Sequence, residues 1–334
     1  MRKLLVSPAP HIHGNESTQK IMRDVLIALT PSLIVSVYFF GWNAIQLVLT
    51  GAIACVGVEY LIQRFLLKTK VTVNDLSAAV TGVLLALNLP PSAPWWVMLL
   101  GSVVAIGIAK MTFGGLGHNI FNPALVGRVF LLVSFPVIMT DWSVPVSWFR
   151  TGVDAVSGAT PLSIIKEGLA QGLTVNDIFA ANPDLTYGQM LFTKIGGSVG
   201  EVSALALILG FVYLLIRKVI RPHITLSILS TIFVMTGIFW LIDPAHYTDP
   251  IFNILSGGVL LGSIFMATDY VTSPMTAKGQ VIYGIGIGLI TVLIRYFGSY
   301  PEGISFAILI MNSTVPLINK YIRPARFAKE VQNG

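Results

Sequence analysis

The sequence predicts an all-α protein threaded repeatedly through a membrane, and three observations carry that prediction. Of its 334 residues, 54% are apolar and only 11% charged, against about 25% charged in ordinary soluble domains. The apolar residues gather into runs of about 20, the length that crosses about 30 Å of hydrocarbon as a helix. These runs fall into two groups on either side of a polar interval at residues 140–199.

Residues 1–21 form a polar tail without the apolar run of a cleavable signal. His11 and His13 could pair at a metal, but with no further ligands nearby they are read as part of a solvated tail. The first group of spans is predicted at 22–40, 43–63, 76–93, 95–113 and 120–139, the second at 200–217, 222–242, 251–268, 279–297 and 303–321. The chain therefore divides into the tail 1–21, a membrane repeat 22–139, the loop 140–199, a second repeat 200–321 and a second tail 322–334. The third span is broken at Asn88-Leu89-Pro90-Pro91, where proline removes backbone donors. Cys55, the single cysteine, lies inside an apolar span, so no disulfide framework or cysteine-bound cluster can be built from this chain.

Net charge is +6, and membrane topology explains it better than nucleic-acid binding. With the N-terminus in the cytoplasm and each span crossing, only Arg150, Lys166, Lys194 and Arg295 of the 21 Lys and Arg residues fall on the far face. The excess of positive charge on cytoplasmic loops thus predicts both termini inside and the 140–199 loop outside.

The two groups of spans also resemble each other. Gly82-Val83-Leu84-Leu85 recurs as Gly258-Val259-Leu260-Leu261, and each is followed by an interrupted stretch, 88–91 and then 268–274. Lys110…Phe113-Gly114 is matched by Arg295…Phe297-Gly298, and Asn122-Pro123 by Asn312…Pro316. Five spans per repeat is an odd number, so the second copy is inverted, an architecture that places sites where helices break at the repeat interface. On this topology Asn88–Pro91 and Phe297–Glu302 face outside, while Phe113–Pro123 and Thr268–Pro274 face the cytoplasm.

Four groups of residues could carry chemistry. Asn119 and Asn122, three apart, offer amides suited to the polar edge of a heterocycle, or they cap a broken helix. Asp269 with Thr268, Thr272 and Ser273 could serve a hard cation, or Asp269 is a solvated cap. Lys110 and Arg128 could pair with an anion, but near the inner boundary they are predicted to snorkel toward water. In the outer loop, Asp154-Ala155-Val156-Ser157-Gly158-Ala159-Thr160-Pro161 ends in a hydroxyl before a proline. That is the pattern of a helix N-cap with proline at the first helical position. It also suits an exposed hydroxyl carrying a phosphoester, which helix N-terminal amides stabilise. No Ser/His/Asp triad, metal quartet or P-loop occurs, so hydrolase and nucleotidase functions have no support.

Three stretches together resemble one known family: Asp154-x-x-Ser157-Gly158-Ala159-Thr160, Gly114-Gly115-Leu116-Gly117-His118-Asn119-Ile120-Phe121-Asn122-Pro123 and Met266-Ala267-Thr268-Asp269-x-Val271-Thr272-Ser273-Pro274. The family comprises the D subunits of Rnf-type ferredoxin:NAD⁺ oxidoreductases and the B subunits of Na⁺-translocating NADH:quinone oxidoreductases. The quinone-reductase members usually carry a longer N-terminal extension, so the Rnf members are the closer fit.

The resemblance implies that Thr160 carries FMN through a phosphoester, installed outside the cytoplasm by a separate flavin transferase. Asp154, Ser157, Gly158 and Ala159 would be that enzyme's recognition sequence. It further implies a second, non-covalent flavin (riboflavin in the homologue) at Asn119 and Asn122, and a fold of ten helices in two inverted repeats similar to urea and ammonium channels. The implied function is a membrane redox subunit of a bacterial or archaeal cytoplasmic membrane complex. It would relay electrons between ferredoxin and NAD⁺ with Na⁺ or H⁺ translocation, beside membrane, flavoprotein and iron–sulfur partner subunits and without activity alone. The alternatives on the same scaffold are a small-solute channel or carrier and a structural anchor for partner subunits. No protein residue is assigned a catalytic role, and no metal ligand beyond the Asp269 candidate.

Overall fold

The computed structural model describes residues 17–142, 158–183, 185–192 and 196–323, and every regular element among them is helical. In the first half these are α1 (Thr18–Phe40), α2 (Trp42–Leu66), α3 (Ser77–Leu87), α4 (Trp95–Phe113), α5 (Pro123–Ser134) and a short α6 (Pro136–Met139). The polar interval holds α7 (Pro161–Ala170), α8 (Val175–Ala181) and α9 (Tyr187–Phe192). The second half holds α10 (Ala204–Ile216), α11 (His223–Ile242), α12 (Pro250–Leu255), α13 (Val259–Leu261, continuing as the wide π turn Gly262–Met266), α14 (Ala277–Phe297) and α15 (Ile304–Tyr321). Helices α1, α2, α4, α11 and α14 are long and apolar enough to cross a membrane.

Local chemistry sets the helix ends. Ser17, Ser203 and Thr276 each accept a first-turn N–H at the starts of α1, α10 and α14. Asn122 and Asp249 do the same before Pro123 and Pro250, whose rings already hold the helical φ. Thr174 and Asp177 form a reciprocal capping box on α8, and the Thr174 hydroxyl and N–H hold the Asp177 carboxyl below its ordinary range.

Helices α3, α5 and α10, with 11, 12 and 13 residues, are too short for a bilayer. At 1.5 Å per residue they reach about 17–20 Å. Their ends therefore leave backbone groups at membrane depth, which is tolerated only against protein. The carbonyls of Leu87, the last residue of α3, and Leu89, just past it, accept the N–H groups of Gly200 at 2.7 Å and Val199 at 3.0 Å. The carbonyls of Gly200 and Val199 in turn accept the hydroxyls of Ser32 and Ser36 on α1. Asn88 donates to Leu84 O at 2.6 Å and sits 3.6 Å from Met266 Sδ. Asn88, Leu89, Pro90 and Pro91 are all buried. Orphan carbonyls at that depth need protein donors, and the segment before α10 supplies them.

Small residues let the helices touch backbone to backbone, the usual solution where lipid removes the hydrophobic drive between helices. A Cβ on Gly82 of α3 would lie 2.2 Å from Gly51 O of α2. A Cβ on Gly210 of α10 would lie 2.3 Å from Ala28 O of α1, and Gly284 and Gly288 of α14 abut the carbonyls of Ile224 and Ile228 of α11. Neighbours correspond between halves: α2 packs on α3 and α4, α11 on α12 and α14, and α1 meets α10 across the centre. Asn122 and Asn312, paired by sequence, are in contact. With the Asn312 amide oriented to satisfy both its ends, its Oδ1 accepts Asn122 N–H at 3.0 Å.

Gly82→Val is expected to cost about 1–3 kcal/mol or more through overpacking and to lower the melting temperature of the detergent-purified protein. Gly57→Ala, where a Cβ meets nothing within 4 Å, should leave it unchanged. Equal melting of the two variants would remove the helix crossing from the account.

Candidate functional site

Helix α5 separates two cavities, one toward each end, each with polar side chains set in a mostly apolar lining. The N-terminal cavity, about 80 Å³, is lined by Ser77, Thr81, Lys110, Asn119, Asn122, Thr268 and Asp269, with Phe265 and Tyr270 as aromatic walls. Two interrupted stretches build it. After the π turn Val104–Ile108 of α4 the chain reaches Lys110 and a turn in which Gly114, Gly115 and Gly117 all have positive φ (112°, 92° and 93°). Such backbone suits glycine and disfavours residues with a Cβ. After the π turn of α13 the chain reaches Thr268 and Asp269. Thus the two stretches expected to share a face do share a cavity.

Lys110 is 1% exposed and its Nζ lies 2.7 Å from Glu59 Oε2 and 2.6 Å from Ser77 Oγ. Gln63 donates to Glu59 Oε1 at 3.2 Å, and Asp75 accepts the Ser77 N–H and hydroxyl at 2.8 and 2.6 Å. The snorkelling expectation for Lys110 is therefore wrong: a carboxylate inside the bundle holds the ammonium there. Asn122 spends its Oδ1 on the N–H groups of Ala124 and Leu125, and its Nδ2 on Met266 O at 3.1 Å. It is a cap, as one of its two readings held, and it ties α5 to α13. Asn119 donates to Phe121 O at 3.1 Å. Asp269 is partly buried and accepts the Thr272 hydroxyl at 3.1 Å. Among the described residues no group of three or more His, Cys, Asp or Glu is placed to hold a metal ion.

The cavity at the other end of α5 measures about 40 Å³ and is lined by Arg128, Met139, Thr140, Trp142, Thr160, Tyr300, Glu302, Ser305 and Phe306. Thr160 caps α7: its hydroxyl accepts Ser163 N–H at 3.2 Å and lies 2.9 Å from Ser163 Oγ, with Pro161 at the first helical position. The residue is 3% exposed, whereas the attachment reading expected an exposed hydroxyl. Gly158 N–H bonds Trp142 O at 2.7 Å, which brings the end of the motif beside α6. Gly158 and Ala159 lie within the described residues, while Asp154 and Ser157 lie outside them.

Arg128 opens into this cavity. Its guanidinium lies 2.6 Å from Glu302 Oε2 and also donates to Ser305 Oγ. The expectation that Arg128 snorkels at the inner boundary fails for the same reason as for Lys110, because a largely enclosed carboxylate captures it. It shares its surroundings with Thr160 and Glu302 and lies away from the Lys110 end.

Sequence reasoning passed over Glu59, Glu201, Glu302 as an ion-pair partner, and Arg295 as a buried cation. Each is an ionisable residue within or at the end of an apolar run, which by itself marks a position of interest. Their partners are distant in sequence, so no local spacing could pair them.

The family described as NQR2, RnfD, RnfE has a sequence model that matches residues 5–328. The D subunit of a proton-translocating ferredoxin:NAD(+) oxidoreductase complex from Clostridium ljungdahlii is 43% identical over 323 residues, covering 96% of this chain and 95% of that protein. The D subunit of a Na(+)-translocating ferredoxin:NAD(+) oxidoreductase complex from Acetobacterium woodii is 47% identical, covering 96% and 94%. The D subunit of an ion-translocating oxidoreductase complex from Cronobacter sakazakii is 39% identical, covering 96% and 97%.

Breaking one side of a buried ion pair leaves an uncompensated charge and costs about 3–5 kcal/mol, whereas replacing both sides is close to neutral. Lys110→Met is expected to lose stability on that scale in chemical denaturation, and Lys110→Met with Glu59→Leu to recover most of it. A double variant as unstable as the single one would show that Ser77 and Asp75, not Glu59, compensate Lys110.

Proposed function

Because the chain belongs to the NQR2, RnfD, RnfE family, we propose that it is the flavin-bearing membrane subunit of an ion-translocating ferredoxin:NAD⁺ oxidoreductase. FMN is attached through a phosphoester to Thr160. The observation that carries this reading is the setting of the Thr160 hydroxyl. It ends the Asp154-x-x-Ser157-Gly158-Ala159 sequence, starts a ten-residue helix, and faces the same cavity as the Arg128 guanidinium. Helix N-terminal amides favour an anion there. Room of about 40 Å³ is that of roughly three waters, so it suits the phosphoester and leaves the ring system outside.

Bound flavin supplies one- and two-electron exchange, which fits a relay between iron–sulfur carriers and a hydride acceptor. The chain's own residues hold it. Arg128 lines the same cavity, where Glu302 and Ser305 fix its guanidinium. Trp142, Tyr300 and Phe306 keep water from the wall. Thr160 is too buried to be reached by a flavin transferase in this conformation, so attachment precedes closure of the wall. Asp154, Ser157, Gly158 and Ala159 are what the transferase reads.

A second flavin, riboflavin, belongs at the other end of α5. Asn119 presents its amide there and Asn122 holds the wall, and a three-ring ligand requires that wall to part. Asp269 in the same cavity is the candidate for the coupling ion, Na⁺ or H⁺. The scaffold is two inverted five-helix repeats with both termini in the cytoplasm and Thr160 outside. Electrons pass to and from partner subunits of the complex, so the isolated chain has no turnover.

Two measurements test this. Co-expressed with an active flavin transferase, the wild type is expected to fluoresce on a denaturing gel and Thr160→Ala to be dark; a dark wild type, exported and folded, returns Thr160 to a helix cap and favours a solute channel. Ion pumping by the complex should fall at least tenfold in Asp269→Asn, and unchanged pumping would remove Asp269 from the ion path.

A further inference from the structure

Four charged side chains meet where the segment before α10, the unwound stretch 256–258 and the turn before α15 come together. They are Glu201, Glu302, Arg128 of α5 and Arg295 of α14. Gly257 and Gly258 make room for them. A Cβ on Gly258 would lie 2.8 Å from Glu201 Oε1 and 3.6 Å from Arg128 Nη1. A Cβ on Gly257 would lie 2.8 Å from Glu302 Oε1 and 3.2 Å from Arg295 Nη2.

The two carboxyl groups are not equally satisfied. Glu302 Oε2 lies 2.6 Å from Arg128 Nη2, and its Oε1 accepts the Gly258 N–H at 3.2 Å. Glu201 forms no ion pair within 4 Å among the described residues, and its buried Oε1 has no donor among them. Its neighbours are the Glu302 carboxyl, at hydrogen-bonding distance, and the Ser198 hydroxyl. That hydroxyl is fully buried and has no other partner among the described residues.

Ionised carboxylates only accept hydrogen bonds, and two of them in one site repel, so that one keeps its proton. A hydrogen bond between Glu201 and Glu302 therefore contains a proton that neither ionised group could supply. The arginines do not replace it. Arg128 is engaged by Glu302 and Ser305, and Arg295 donates to the carbonyls of Asn253 and Ser256. Both guanidiniums still act on the pair through space. Two guanidiniums and two carboxylates sum to zero charge, and the proton makes that a single positive charge. Neither state leaves a large net charge in the interior, where it would be costly.

The pair also has a route to the outside of the bundle. Glu302 lines the Thr160 cavity, and the segment carrying Glu201 packs on the motif, where a Cβ on Gly196 would lie 3.4 Å from Ala159 O. We propose that Glu201 and Glu302 form a proton-binding site that exchanges with the Thr160 cavity. On loading, H⁺ adds to one carboxylate oxygen and forms an O–H that donates to the other carboxylate. On unloading that O–H bond breaks and H⁺ leaves to water; no electrons move in either direction. The site needs no flavin on Thr160, and it is separate from Asp269, which lines the cavity at the other end of α5.

Infrared spectroscopy of the full chain tests this, with the protein expressed without a flavin transferase and kept at neutral pH in detergent. The readout is the C=O band of a protonated carboxyl, which stands apart from the carboxylate bands. In the wild type that band should shift down when the glutamate side-chain carboxyls carry ¹³C, and shift down again in D₂O. Glu201→Gln and Glu302→Gln keep the side-chain shape and should each abolish the band while melting shows the protein folded. The first removes the protonated group; the second frees Arg128 to pair with Glu201, which then ionises. A wild type with no glutamate-derived band overturns the proposal, and that result needs no variant to fold. A band that survives Glu201→Gln belongs to another glutamate and overturns it as well. Survival in Glu302→Gln alone shows that burial protonates Glu201 and overturns the sharing, and a band that D₂O leaves in place overturns the exchange.

Discussion

Backbone polar groups inside a membrane must be satisfied by protein, and the rest of this structure depends on how that is done where α3 stops short. The end of α3 at Leu87 leaves carbonyls that no water can reach, and the N–H groups of Val199 and Gly200 take them. Those two residues expose carbonyls in turn, which Ser32 and Ser36 of α1 fill. One unwound segment from each half of the chain thus closes the other's hydrogen-bond deficit. The pairing places α1 against α10 and draws Glu201, just beyond Gly200, into the interior beside the segment that follows α14. Helices that stop midway also leave space beyond their ends, and the cavities lie there.

Buried charge follows from the same geometry. A lysine or arginine on a continuous lipid-facing helix would extend toward water. Lys110 and Arg128 instead meet Glu59 and Glu302, because broken helices bring carboxylates from other segments to their depth. Such pairs contribute little net stability, since desolvation offsets most of the attraction. Their effect is on arrangement: Glu59 fixes α2 to α4, and Glu302 fixes the turn before α15 to α5. Each cavity therefore has one wall that an ion pair holds in register.

The fold class was legible because hydropathy is a property of runs, and helix ends fell near the predicted spans wherever a Gly, Pro or capping side chain punctuated the chain. Asn122-Pro123 and Thr160-Pro161 could be read as helix starts from two residues each, and both are. The internal likeness of the two halves put Phe113–Pro123 and Thr268–Pro274 on one face, and Asn119 and Asp269 from these stretches line one cavity. Three things were not legible. The depth of Asn88–Pro91 depends on a partner more than a hundred residues away. The fate of Lys110 and Arg128 depends on which carboxylate lies opposite. Arg295 looked like an ordinary cation at a helix end, and only the fold shows it buried against the carbonyls of Asn253 and Ser256. A single sequence records residue type and order; it does not record which distant backbone will meet which side chain.

The two readings of Thr160 are compatible, and the hydrogen bonds show why. As a cap the hydroxyl oxygen accepts from Ser163 N–H, which uses a lone pair and not the hydroxyl hydrogen. Esterification removes that hydrogen and leaves the oxygen, so the cap can survive attachment in weakened form. Ser163 Oγ already donates to Thr160 O at 2.8 Å and does not need the Thr160 hydroxyl as its acceptor. The first-turn N–H groups that stabilise a capping oxygen also stabilise a phosphate placed on it. A residue with a short hydroxyl stem at the start of a helix is therefore suited to both roles for one physical reason.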